Sequence, residues 1–87
     1  MAQHKSAKKR ARQALKRRAR NRGIRTAVRT RVKAFRAVSE AAEDTTASLR
    51  SAEGLIRRSA SKGVIPKKRA SRQVSRLAKQ ANRTAAN

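Results

Sequence analysis

Residues 8–22 read "KKRARQALKRRARNR", nine Lys or Arg in fifteen positions with no acid among them. Like charges at i and i+4 on a helix repel by a few tenths of a kcal/mol per pair. The segment therefore opposes its own folding until something negative relieves it. Its residue types still favour a helix, with Ala11, Leu15 and Ala19 spaced by four along one thin apolar line. The charge predicts an arm that becomes fully helical only against a polyanion.

The rest of the chain offers little to compensate. Of 87 residues, 26 are Lys or Arg and 4 are Asp or Glu, for a net charge of +22. That length makes one small domain, and a chain so short buries only about 60–65% of its unfolded surface. Alanine supplies 18 positions and larger apolar side chains only 14, with Phe35 the single aromatic residue. A modest helical core fits this composition, whereas a sheet protein or a deep pocket does not. Excess charge raises the cost of the compact state, so the chain should be partly disordered alone and ordered on a polyanion, of which nucleic acid is the obvious one.

Cysteine is absent, which removes disulfides and thiolate metal sites. No apolar run approaches the ~18 residues of a membrane span, and the N-terminus lacks the apolar stretch of a secretory signal. An Arg-rich, acid-poor start also suits an organellar transit peptide. Against that reading, the apolar line is thin and the basic bias returns at the C-terminus.

Charge divides the chain in three. Residues 1–38 carry 15 cations and no acid, residues 39–61 hold all four acids with three Arg, and residues 62–87 return to eight cations and no acid. Ile24, Val28, Val32, Phe35, Val38 and Ala42 step by three and four, one face of a helix over about 6–43, broken or not near Gly23. "EDTT" at 43–46 interrupts it, with Asp44 or Thr45 placed to cap a second helix. That helix, about 46–61, carries Leu49, Ala52, Leu55 or Ile56, and Ala60. Glu53 stands four residues before Arg57, the favourable order for a helix pair, and Gly54 weakens the helix by about 1 kcal/mol relative to Ala.

"SKGVIPKK" at 61–68 is the next break. Gly63 suits the left-handed residue that ends a helix, and Pro66 suits the first position of the next. The third helix, about 66–83, shows Ala70, Val74, Leu77 and Ala81, and "NRTAAN" is expected to fray. Short connections make neighbours antiparallel. The expectation is an all-α chain, an antiparallel three-helix bundle with an overlong, highly basic N-terminal helix.

The basic segments carry the functional signal. Solvated helix surfaces interleave charge signs and this one does not, which points to phosphates and counterion release. The dense run assigns Arg12, Lys16, Arg17, Arg18, Arg20 and Arg22 to that role, with Arg25 just beyond it. Arginine outnumbers lysine 17 to 9. The planar guanidinium meets phosphate bidentately and stacks on bases, though a codon bias explains the ratio equally well. Phe35 is a core residue by its place in the stripe rather than a base-stacking platform. His4 stands alone, so neither a metal site nor a nucleophilic triad can be built around it, and it is a phosphate or base contact or nothing. The four acids suit caps and helix pairs better than acid–base catalysis, so no enzyme, cofactor, metal or small-molecule substrate is expected. Phe35, Ala42, Leu49 and Ile56 recur every seven residues after the basic region, as in a DNA-gripping zipper. Thr46 and Glu53 in the seam, and the "EDTT" break, argue against it.

"HKSAKKRARQ" at 4–13, "RN" at 20–21, "RTAVRT" and "VKAF" within 25–35, and above all "KGVIPKKRASRQVSRLAKQ" at 62–80 resemble the bacterial small-subunit ribosomal protein family numbered twenty. The similarity spans nearly the whole chain, and residues 44–58 match only in helical character. It implies a three-helix fold inserted into RNA and direct binding to 16S ribosomal RNA at the 5′ domain and the long penultimate stem. It also implies a place in the cytoplasmic ribosome beside the other components of the small subunit. By similarity the contacts are Lys5, Ser6, Lys8, Lys9 and Arg10, then Asn21, Arg29 and Thr30. Lys62, Lys67, Lys68, Arg69, Arg72 and Arg76 form the second group. Pro66 stands where many relatives carry histidine, which removes any contact from that ring, and arginine is richer here than in those relatives. The competing reading is a DNA-compacting nucleoid-type protein. A tandem Lys/Ala/Pro tail would distinguish it, and this chain has one proline and no such tail.

Overall fold

An alanine- and arginine-rich run with no proline before position 66 gives the backbone no reason to leave the helix early. In the computed structural model, which describes residues 2–86 with side chains from Lys5 onward, helix α1 runs unbroken from Ala2 to Glu40. Gly23 does not interrupt it. His4, read above as a nucleic-acid contact or nothing, has its side chain outside the described residues. Thirty-nine residues at the helical rise span about 58 Å. Helices α2 (Thr46–Ser61) and α3 (Lys67–Ala86) pack beside only the C-terminal half of α1.

The consequence is an elongated particle of 67 × 21 × 14 Å with a radius of gyration of 17.7 Å. A compact chain of this length would have a radius near 12 Å. The core accounts for the difference. Val28, Val32 and Phe35 from α1 meet Ala52 and Ile56 from α2, Ile65 from the connection, and Ala70, Leu77 and Ala81 from α3. Phe35 and Ile56 are fully buried. Of the expected stripe, Ile24 and Val38 are half-buried and Ala42 is exposed. No side chain from Lys5 to Gly23 is buried, so α1 projects as a free arm.

Helix α1 begins at Ala2 rather than near Ser6, and the ends of the helices differ from the sequence expectation in three further places. First, α1 stops at Glu40 rather than Glu43. Glu43 N–H donates to the Val38 carbonyl (3.1 Å) and Ala42 N–H to that of Ser39 (3.0 Å), closing a Schellman turn. Ala42 takes the left-handed position of that turn with φ 56°. Second, α3 begins at Lys67, one residue after Pro66, whose carbonyl accepts the first helical bond from Ala70 N–H (3.0 Å). Third, α3 continues to Ala86 where fraying was expected. Thr84 Oγ1 lies 2.7 Å from Ser39 Oγ, and Gln80 Nε2 donates to the same Ser39 hydroxyl at 3.3 Å, which pins the end of α3 to α1.

The remaining caps follow the sequence closely. Asp44 Oδ1 accepts from Thr46 N–H (3.0 Å) and Thr46 Oγ1 (2.7 Å), and the hydroxyl and amide donors lower its pKa from the usual 3.8. Thr45, the other candidate, makes no side-chain cap bond. Gly63 is left-handed at φ 79° and ends α2 in a second Schellman turn, with Val64 N–H donating to the Ser59 carbonyl (3.0 Å). Val64 then packs on the core, the hydrophobic contact this motif favours.

Candidate nucleic-acid interface

The arm presents its cations in every direction. Lys5, Lys8, Lys9, Arg10, Arg12, Lys16, Arg17, Arg18, Arg20, Arg22 and Arg25 are exposed, as is Ser6. Among the described residues no Lys or Arg lies within 4.0 Å of a carboxylate. Charges left unpaired and hydrated here attract phosphates at long range and release counterions when they meet them. Leu15 is 63% exposed among them, the one large hydrophobic side chain so exposed among the described residues.

Asn21 sits differently. It is half-buried, its carbonyl receives Arg25 Nε at 3.4 Å, and its Oδ1 is buried without a hydrogen-bond partner. Thr30 is exposed, with its hydroxyl donating to the Thr26 carbonyl of its own helix at 3.0 Å, which leaves the oxygen lone pairs free to accept.

Folding brings the second group of cations against the first. Helices α1 and α3 touch each other least of the three pairs, and the gap between them is a cleft in two contiguous parts. One, of about 220 Å³, has Arg25 and Arg29 of α1 facing Arg69 and Gln73 of α3 over a floor of Val28, Val64 and Ile65. The other, of about 380 Å³, has Arg36 of α1 and Arg69, Arg72 and Arg76 of α3 in its lining, together with Gln73, Gln80, Val32 and Leu77. No acid lines either part. Six guanidiniums on two walls over an apolar floor concentrate positive potential, because field lines from one sign of charge are focused by low-dielectric walls.

Not every expected residue joins this cleft. Lys67 lies beyond it, in an open groove between α2 and α3 with Arg57, Ala60 and Val74. Lys62 caps the C-terminus of α2, and Lys62 and Lys68 are exposed outside both parts of the cleft. Sequence reasoning missed Arg36, Gln73 and Gln80. Arg36 was legible in principle, since Arg25, Arg29 and Arg36 step by four and seven and share a helix face beside the apolar stripe. Arg31, by contrast, is taken up in the fold, where it donates to the Ser51 carbonyl (3.4 Å) and Ser51 Oγ (3.3 Å) across to α2.

Nothing described assembles a catalytic or metal-binding constellation. Among the described residues no group of three His, Cys, Asp or Glu could hold a metal ion, and no helix is long and apolar enough to cross a membrane. The geometry offers extended, unpaired positive charge and one arginine-walled cleft.

Comparison with known proteins agrees with that character. Residues 2–82 match the family model of ribosomal protein S20. The small ribosomal subunit protein bS20 of Anaeromyxobacter dehalogenans (strain 2CP-C) is 52% identical over 88 residues, covering 99% of this chain and 96% of that protein. The bS20 protein of Desulforapulum autotrophicum is 49% identical over 80 residues, covering 91% of this chain and 96% of its own length. That of Sorangium cellulosum (strain So ce56) is 49% identical over 79 residues, with 90% and 84% covered. Relatives this similar over nearly their whole length share more than helical character, and their family is not enzymatic. An all-helical chain with an unpaired cationic arm, matched from Ala2 to Asn82, belongs to the ribosomal protein S20 family.

Proposed function

We propose that the chain is a structural constituent of the small ribosomal subunit of the cytoplasmic ribosome, and that it binds 16S ribosomal RNA directly at the 5′ domain and the penultimate stem. The relatives' name, small ribosomal subunit protein, supports the first half of this reading. The observation that carries the second is the set of exposed cations without carboxylate partners along the arm and the α1/α3 cleft. In mechanism, the arm lies between RNA segments distant in sequence and screens their mutual repulsion. The bundle buttresses them from one end. The contacts are Lys5, Ser6 and the cations of residues 8–25, then Asn21, Arg29 and Thr30, and the second group from Lys62 to Arg76. The four acids, gathered around the far end of α1 and on α2, keep that end of the molecule off the RNA.

A protein making ~6–10 phosphate contacts loses about 10³–10⁵ in affinity between 50 and 200 mM salt. Titrating a small-subunit rRNA fragment containing both elements across that range should show such a loss. A flat response overturns phosphate screening as the mechanism. Co-sedimentation of the chain with the small subunit, lost at high salt, checks the assembly itself.

A further inference from the structure

The arm and the cleft differ in what they can recognise. On the arm the exposed polar groups are cations, Ser6 and the single amide of Gln13, which has no second helix opposite it, and contacts of cations to phosphate fix position without distinguishing one polyanion from another. The cleft holds something more. Gln73 is the uncharged polar side chain shared by both of its parts, with Arg69 beside it and Arg29 and Arg36 on the opposite wall. Gln80 spends an amide N–H on Ser39 Oγ at 3.3 Å. No hydrogen bond to another described residue engages the Gln73 amide, and the amide is not sealed from solvent.

We propose that the cleft between α1 and α3 seats one sugar–phosphate strand of RNA, and that Gln73 is its specificity residue, hydrogen-bonding a ribose 2′-hydroxyl between guanidinium-held phosphates. The proposal rests on the RNA-binding reading above and adds which residue tells RNA from DNA. An amide donates and accepts at once, and so does a 2′-hydroxyl, whereas DNA offers no such group at that position. The guanidiniums on both walls suit a phosphate ribbon lying along the cleft, since their planar forks take phosphate oxygens in pairs. The floor of Val28, Val32, Ile65 and Leu77 excludes water from beneath the strand. The width of the cleft is set before RNA arrives, because the Ser39, Gln80 and Thr84 side chains tie α1 to α3 at its far end. A seat formed in advance spares the ordering cost of binding.

The test uses the full chain with an RNA hairpin copied from the penultimate stem of small-subunit rRNA and the same hairpin made as DNA. Gln73→Ala should weaken RNA binding about three- to tenfold, the worth of a neutral hydrogen bond, leave DNA binding unchanged, and leave the salt slope unchanged on both. Gln73→Leu, which keeps the bulk of the side chain, should behave the same and so excludes lost packing as the cause. Arg72→Gln should weaken both hairpins and lower the salt slope by about one. The proposal is overturned if Gln73→Ala binds the RNA hairpin as the unaltered chain does, or loses as much on DNA as on RNA. Failure of the unaltered chain to bind any small-subunit rRNA fragment would instead overturn the RNA-binding reading itself.

Discussion

At the scale of single residues, two positions decide how much stability the small bundle has to spare. Ala42 holds a left-handed φ of 56° at the turn that ends α1, a conformation that costs a residue with a Cβ roughly 1–2 kcal/mol. Gly63 fills the matching position after α2 without that cost. Ala42→Gly should therefore stabilise the protein by about 1 kcal/mol, raising Tm by roughly 4–8 °C for a domain of this size. Calorimetry checks it, and a lowered Tm would mean that the turn is held by something other than its backbone. Phe35 works in the opposite direction. It is 0% exposed at the centre of the core, and Phe→Ala changes in such places cost about 3–5 kcal/mol. An 87-residue chain has only roughly 4–13 kcal/mol in total. Phe35→Ala should abolish or severely lower the cooperative melt, while Phe35→Leu should retain it. A Phe35→Ala protein melting within a few degrees of the original would remove Phe35 from the core.

At the scale of elements, α1 is two different helices joined end to end. From Val28 to Phe35 its stripe is buried and packing maintains it, as for most helices in proteins. Before Gly23 no residue joins the core, and Lys5–Lys9, Lys8–Arg12, Arg12–Lys16, Lys16–Arg20 and Arg18–Arg22 set like charges at i and i+4. At 0.2–0.5 kcal/mol each, these five pairs oppose the arm by about 1–2.5 kcal/mol. The helical signal at 222 nm should accordingly rise between 10 and 200 mM salt, and rise further when rRNA is added. A signal independent of both would show that the arm's helix does not feel its own charge. The same division explains what was legible beforehand. Val28, Val32 and Phe35, the break at Gly63, and the Asp44 cap announce themselves through local spacing and turn chemistry. The stop at Glu40 was hidden because an alanine sits where glycine normally signals it. The ordered end of α3 was hidden because Thr84 is held by Ser39, forty-five residues away. The cleft was half legible: its cations showed in composition, but only the splay of α1 from α3 shows that Gln73 lies among them.

At the scale of the whole molecule, length separates the sources of stability from the sources of affinity. Side chains before Gly23 contribute nothing to the core, so charge can be removed from the arm without weakening the fold. Replacing Lys8, Lys9 and Arg10 together by Gln removes three phosphate contacts if all three reach RNA. Each neutralised phosphate contributes about 0.7–0.9 to the slope of log K against log salt, so the slope should fall by about 2–3. Tm should stay constant or rise slightly at low salt, because the triple change relieves self-repulsion as well. The comparison that matters is between the two measurements. A protein whose arm served the fold would lose Tm along with slope. One whose arm hangs idle beside RNA would lose neither, and a fallen slope with an intact melt is the outcome that assigns the projecting half of α1 to phosphate contact alone.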